Sequence, residues 1–363
     1  MTQQLDINPI KAWLPKIDNP LLISGPCSLE TKEQTLETAR QLAKDHRVFI
    51  FRGGIWKPRT RPGSFEGVGS EGLKWMQLVK KETGLPVATE VANSKHAEKA
   101  LNAGIDVLWI GARSTASPFV VQEIADVIKD SNAVVMVKNP VNPDVNLWIG
   151  AIERINRAGI KNIVAIHRGF TPFRETKYRN YPNWKTVIEL RRLMPQLPII
   201  CDPSHLAGKR EYLYEISQKA FDMGMEGLMV ESHINPSAAL SDASQQLTPG
   251  DLAKLLDRLV IRYQKTDNPE FETQLDMLRS RIDAIDSELL EILSSRTEIV
   301  KQIGQYKKKN NVTAFQVNRW SQLMNDRITL GNKLKLNDKF VKMFFQMIHE
   351  DSVRMQTEIM DEE

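Results

Sequence analysis

Only two cysteines, Cys27 and Cys201, occur in the 363 residues, which excludes a disulfide framework and points to a reducing compartment. Long apolar runs are missing as well: none approaches the ~18–20 residues a membrane-spanning helix needs. The opening Met-Thr-Gln-Gln-Leu-Asp carries neither the basic nor the apolar region of a secretory signal. A cytoplasmic location is therefore expected. Charge of one sign is scarce too. The 49 basic and 45 acidic residues leave a formal charge of +4, and the one basic run, Lys307-Lys308-Lys309, suits a solvated helix face better than a nucleic-acid site. Neither nucleic acid nor membrane is expected as a partner.

What the chain does have is eight β-like apolar runs in its first 235 residues, each ending in polar or charged side chains. They are 21–28 (ending Gly25-Pro26-Cys27-Ser28), 48–54 (Arg52), 86–91 (Glu90), 107–113 (Arg113), 134–140 (Lys138), 163–169 (His167, Arg168), 198–205 (Asp202, His205) and 227–233 (Glu231, His233). Their starts lie 21 to 38 residues apart, room for a strand, a helix and two loops. Helical patterns fill the gaps, for example over 31–46, 70–83, 117–130, 146–158 and 209–223. Eight such units predict a (β/α)8 barrel, whose C-terminal strand ends converge on one mouth. A long loop over 234–248 follows the eighth run, and a closing helix is expected from Pro249 to about Lys265. Loops of that length in compact domains are often functional.

Thr266-Asp267-Asn268-Pro269-Glu270 then breaks the pattern, so the barrel is assigned to 1–266 and a second domain to 267–363. The second domain reads as helix throughout. Phe271, Leu275, Leu278, Ile282, Ile285, Leu289, Ile292, Ile299, Ile303 and Tyr306 advance in alternating steps of four and three, a heptad seam interrupted at Arg296. A helix of ~38 residues is ~57 Å long, too long for two shorter helices of one chain to cover. The expected architecture is an all-α three-helix domain that dimerises. Its second helix is placed at 313–330, stopped by Gly331, and its third from Asp338 to about Met360.

Arg52, Lys57 and Arg59 put three cations into eight residues after the second run, and Arg113, Lys138 and Arg168 follow the fourth, fifth and sixth. Any one alone would be a surface ion pair; six at one mouth suit anionic substrates. Cys27, His205, Glu231 and Asp242 are candidate metal ligands. One sulfur, one nitrogen and two carboxylates favour Mn, Fe, Co or Zn over Mg or Ca. A buried, inert thiol is the ordinary role of a lone cysteine, and that reading is kept for Cys201. His46, His96 and His349 fall in helical patterns and read as structural.

Gly25-Pro26-Cys27-Ser28, Lys57-Pro58-Arg59-Thr60, Ile110-Gly111-Ala112-Arg113, Asp202-Pro203-Ser204-His205 and Glu231-Ser232-His233 together resemble the compact form of 3-deoxy-D-arabino-heptulosonate 7-phosphate (DAHP) synthase over about residues 10–265. The resemblance implies condensation of phosphoenolpyruvate with erythrose 4-phosphate. By it, Arg52, Lys57, Gly111, Ala112, Arg113, Lys138 and Arg168 would bind phosphoenolpyruvate. Arg59, Thr60 and Ser204 would meet erythrose 4-phosphate. Cys27, His205, Glu231 and Asp242 would hold one divalent metal, Mn2+ first, with Fe2+, Co2+ or Zn2+ as alternatives. Lys57 is the candidate general acid, and Glu90 the carboxylate that directs water. The related octulosonate-phosphate synthases carry a Lys-Ala-Asn-type motif where Lys57-Pro58-Arg59-Thr60 stands, which points to the four-carbon aldose. The segment 61–67, Arg-Pro-Gly-Ser-Phe-Glu-Gly, departs from the usual Ser-Pro-Tyr-Ser-Phe-Gln-Gly.

Residues 271–357 resemble the all-helical chorismate mutases without gaps. Carried over, Arg279 (from a partner chain), Arg296, Lys307, Arg319, Ser352 and Gln356 would bind chorismate, with Lys307 and Gln356 at the ether oxygen. Trp320 and Gln316 depart from the usual Glu and Asp. The combined expectation is a bifunctional, homodimeric enzyme of aromatic amino acid biosynthesis, its barrel inhibited by prephenate or chorismate bound in the tail. The alternative is a DAHP synthase whose tail regulates and dimerises with little mutase activity.

Overall fold

The computed structural model describes residues 5–18, 20–57, 63, 65–129, 131–172, 175–262 and 267–361. Eight parallel strands close in sequence order into a barrel: β1 (Leu21–Gly25), β2 (Val48–Arg52), β3 (Val87–Val91), β4 (Val107–Ile110), β5 (Val134–Lys138), β6 (Ile163–His167), β7 (Ile199–Cys201) and β8 (Gly227–Glu231). Each apolar run thus becomes a strand. The runs extend past the strands because their last residues turn off the ladder into the mouth. Register does the positioning. Gly25 pairs with Glu231 and His167 with Cys201, so the residues that follow emerge at one level.

Strands this apolar on both faces suit a barrel whose inside and outside are both buried. Inside, Ile23, Ile50, Trp109, Met136, Ile166 and Met229 form one core. Outside, the strands pack on a ring of helices through a larger cluster that includes Val79, Ile124, Trp148, Ile155 and Leu190. Thr31, Asn93 and Asp144 each accept backbone N–H bonds at a helix start.

Several boundaries differ from the expectation. The 31–46 segment is helical only over Lys32–Leu42, leaving His46 in a turn. The 209–223 segment splits into a 3-10 turn, Arg210–Tyr212, and a helix, Leu213–Asp222. The closing helix ends at Arg258 rather than near Lys265. There the backbone of Val260 bonds both ends of the Gln218 amide, its N–H to Oε1 and its C=O to Nε2, each at 2.9 Å.

The chain divides into two compact units, Met1–Gln264 and Lys265–Glu363. The second holds three helices, Pro269–Lys309, Val317–Lys333 and Asp338–Asp361. Asn268 caps the first by accepting from Glu270 and Phe271 N–H. Gly331 does not stop the second. It is buried within the helix, where a Cβ would come 2.7 Å from Val341, so its small size serves packing. The first helix has 41 residues, ~62 Å, yet only Val300 and Gly304, in its last third, are buried. Ile282, Ile285 and Ile292 of the predicted seam are 57, 62 and 65% exposed. Among the described residues, no helix is long and apolar enough to cross a membrane.

Candidate active sites

At the barrel mouth, β1 delivers Cys27, β8 ends on Glu231, and the loop after β8 returns Asp242. One ligand atom from each lies within 4.8 Å of the others. Asp242 sits at φ 49°, a left-handed conformation costly for a non-glycine residue that persists where the surroundings impose it. The imposing contacts are visible. Ser28 Oγ meets Ser241 Oγ at 2.5 Å, Leu240 N donates to Glu30 Oε1, and Gln246 binds both Cys27 N and Ser241 O. Gln245 donates to Glu231 Oε2 at 2.6 Å.

His205 stands beside this group rather than in it. Its backbone N–H is capped by Asp202, and its Nδ1 lies 2.8 Å from Asp202 Oδ2 and 3.7 Å from Glu231 Oε1. The Asp202 carboxylate faces the ring, so three of the four expected ligands converge and the fourth adjoins them. Burial drives the His205 pKa down, favouring the neutral form that can act as a ligand. Burial, and then Glu231, push the Cys27 thiol up to about 12. Burial and two neighbouring carboxylates outweigh the nearby Lys57 at this thiol, and a divalent metal would stabilise its thiolate. The donor set therefore fits a metal of intermediate softness.

Cations ring the triad. Arg52, 1% exposed, donates to Glu231 Oε1 and to Cys27 O, both at 3.1 Å. Lys57 Nζ is 3.1 Å from Cys27 Sγ and also donates to Cys27 O. It can come so close because Gly54 has no Cβ; one there would lie 2.7 Å from Nζ. Lys138 pairs with the buried Asp202 at 2.8 Å. Arg168 donates to Asn180 Oδ1, and burial followed by the charges of Arg179 and Arg113 lowers its pKa to about 10. The charges of Arg179 and Arg113 thus act on Arg168, a field suited to an anion.

Glu90, on β3, accepts from Trp109 Nε1 at 2.9 Å, and a Cβ on Gly111 would lie 2.1 Å from its Oε1. Gly111 and Ala112 open the short helix Ala112–Thr115, which carries the exposed Arg113. Trp109, which sequence reasoning passed over, forms the floor: Arg52 lies 4.8 Å and Lys138 5.7 Å from its ring centroid. Arg179 was also missed; it pairs with Asp242 at 2.9 Å and donates to Gln245. Ser204 is fully buried and its Oγ accepts from Glu231 N, a contact that positions Glu231. Arg59 and Thr60 lie outside the described residues.

In the tail, Arg296 on the first helix donates to Ser352 Oγ on the third at 2.8 Å. Burial, then the charge of Arg327, depresses its pKa. Lys307 donates to Ala314 O at 2.6 Å, and burial lowers its pKa too. Ser352 and Gln356 are buried on the facing side of the third helix. Arg319 and Arg279 are exposed, bonded to Gln322 and Asp276.

The fold and mouth thus define a (β/α)8 barrel with a metal-competent triad inside a ring of cations, joined in one chain to a helical unit in which Arg296 meets the buried Ser352. The chain belongs to the DAHP synthetase I family, whose family model matches residues 15–265. Residues 278–357 match the chorismate mutase type II model. A phospho-2-dehydro-3-deoxyheptonate aldolase of Thermotoga maritima is 33% identical over 226 residues, covering 62% of this chain and 64% of that protein. The chain thus spans just under two thirds of that relative's length. A 2-dehydro-3-deoxyphosphooctonate aldolase of Xanthomonas campestris is 30% identical over 275 residues, covering 67% of this chain and 91% of that protein. The crystal structure of the Thermotoga aldolase superposes with a TM-score of 0.60 at 30% identity, covering 72% of this chain and 70% of that one.

Proposed function

We propose that the chain joins two enzymes of aromatic amino acid biosynthesis and acts in the cytoplasm. The barrel would condense phosphoenolpyruvate, erythrose 4-phosphate and water into DAHP and phosphate; the tail would rearrange chorismate to prephenate. The observation that carries the first is the convergence of Cys27, Glu231 and Asp242 with Arg52, Lys57, Lys138 and Arg168 on one mouth. A divalent ion, Mn2+ by preference, would be held by Cys27, Glu231 and Asp242 with His205 as fourth donor. When bound it supplies Lewis acidity toward the aldehyde oxygen.

The chain's own residues do the rest. Arg52, Lys57, Arg113, Lys138 and Arg168, with the Gly111 and Ala112 backbone, orient phosphoenolpyruvate so that its C3 attacks the aldehyde carbon. Lys57 gives a proton to the developing alkoxide. Glu90, held by Trp109 and by the space at Gly111, directs water to C2, and phosphate leaves from the resulting hemiketal. Arg59 and Thr60 hold erythrose 4-phosphate.

The similarity to octonate aldolases favours a second reading, in which a five-carbon aldose phosphate replaces erythrose 4-phosphate. Chelated, metal-reconstituted enzyme offered each aldose phosphate decides between them. Product with the four-carbon substrate, at least 100-fold faster, supports the proposal; the reverse preference overturns it.

Chorismate would bind between Arg296, Lys307, Arg319, Ser352 and Gln356, with catalysis by preorganised charge at the ether oxygen. Arg279 precedes Arg296 by 17 residues, ~26 Å along one rigid helix, so it would join the cleft only from a second copy. The exposed Ile282, Ile285 and Ile292 suit the same partner, and a homodimer is proposed. Prephenate or chorismate bound in the tail is proposed to inhibit the barrel. Barrel kinetics unchanged across the full prephenate binding range would exclude that coupling.

A further inference from the structure

The cleft of the helical unit contains a residue that the assignment above leaves unused. His349 lies three residues before Ser352 and seven before Gln356, so the three share one stripe of the last helix. Its ring is fixed on both sides. Trp320 stacks on it at 4.1 Å between centroids and 22° between planes, and Phe315 meets it at 5.7 Å and 60°. Its Nε2 is buried and has no hydrogen-bond partner, as is Gln356 Oε1. A buried polar atom left without a partner is costly, and a paired set of them in one cleft is what a bound ligand would satisfy. The two atoms belong to residues about two helical turns apart, and Arg296, bonded to Ser352, stands between them.

The groups facing the ring decide its chemistry. Arg296 and Lys307 approach from the first helix and Glu350 stands on its own helix. Burial comes first, the two cations second, and both hold the imidazole neutral against the weaker pull of Glu350. A neutral imidazole can accept a hydrogen bond, whereas arginine and lysine can only donate. The cleft's cations can therefore satisfy carboxylates but cannot receive a hydroxyl proton.

We propose that His349 is a substrate-contacting residue of the helical site, its Nε2 hydrogen-bonded to the ring hydroxyl of a hydroxylated cyclic dicarboxylate, and that Trp320 positions the imidazole for that contact. The proposal rests on the reading of the tail as a chorismate-binding enzyme. It gives the Trp320–His349 stack a task in recognition rather than in packing alone.

The test uses the full chain. His349→Phe keeps an aromatic ring against Trp320 and deletes the nitrogen; His349→Gln deletes the ring and keeps a hydrogen-bonding group. Expected is a roughly tenfold fall in kcat/KM for chorismate with the phenylalanine, carried mainly by KM, and recovery of most of it with the glutamine. An analogue lacking the ring hydroxyl should bind wild type and His349→Phe equally. Unchanged kinetics in His349→Phe would overturn the assignment, as would equal losses in both variants, since a packing role ignores hydrogen bonding. If wild type consumes no chorismate, the mutase reading itself fails and takes this proposal with it. If wild type turns over and His349→Phe matches it, only the His349 assignment fails.

Discussion

At Gly111 a single methyl group decides where the Glu90 carboxylate stands. A Cβ there would stand 2.1 Å from Glu90 Oε1, so Gly111→Ala must push Glu90 off Trp109. Barrel turnover is expected to fall at least tenfold while chorismate turnover stays within twofold of wild type, read by steady-state assays of both. His167 makes a separate prediction. Fully buried against Trp184 and Phe170, it is held neutral by desolvation, with its pKa lowered from 6.5 to about 3. Below pH 6.5 the unfolded chain takes up a proton that the folded barrel refuses. Stability from this group is therefore lost as pH falls from about 6.5 toward 3, at about 1.4 kcal/mol per pH unit. Urea midpoints between pH 7 and 4.5 should fall more steeply for wild type than for His167→Gln; equal slopes would contradict the account. At this scale most of the strand-end residues were legible, because a polar side chain closing an apolar run finds its partners at the mouth; His167, packed on Trp184 and Phe170 instead, is the exception. Gln245, Gln246, Arg179 and Trp109 were not. Gln245 meets Glu231 of β8, 14 residues before it, and Gln246 meets Cys27, 219 residues before it, only once the long loop has folded back over the mouth.

Among the elements, the first tail helix departs most from self-sufficiency. Its first half carries a stripe of isoleucine and leucine that is exposed among the described residues, and each such side chain gains about 1.5–3 kcal/mol when buried. Ile285→Asp is expected to turn the proposed dimer into monomers at micromolar concentration, measured by sedimentation equilibrium. A variant that still sediments as a dimer would place the interface elsewhere. The helix itself was legible from its period alone. The ends of elements were less so. Gly331 looked like a stop signal but lies inside a helix that needs its small size against Val341, and the closing barrel helix ended early where Gln218 bonded the Val260 backbone. In both cases a tertiary contact overrode a local signal.

For the whole molecule, the question is whether one chain runs two reactions on different physical principles. In the proposed reading, the barrel's buried acids, thiol and cations serve a metal-assisted condensation, and the helical unit's Arg296, Lys307, Ser352 and Gln356 serve a rearrangement without covalent participation. Metal dependence should separate them. Intact chain, reconstituted with Mn2+, assayed in one preparation for phosphoenolpyruvate consumption with erythrose 4-phosphate and for chorismate loss, then assayed again after chelation, tests this most directly. Both activities should be present, and chelation should remove at least 95% of the first while sparing the second. Absence of either activity from the reconstituted chain, or chelation that abolishes both together, would contradict the account.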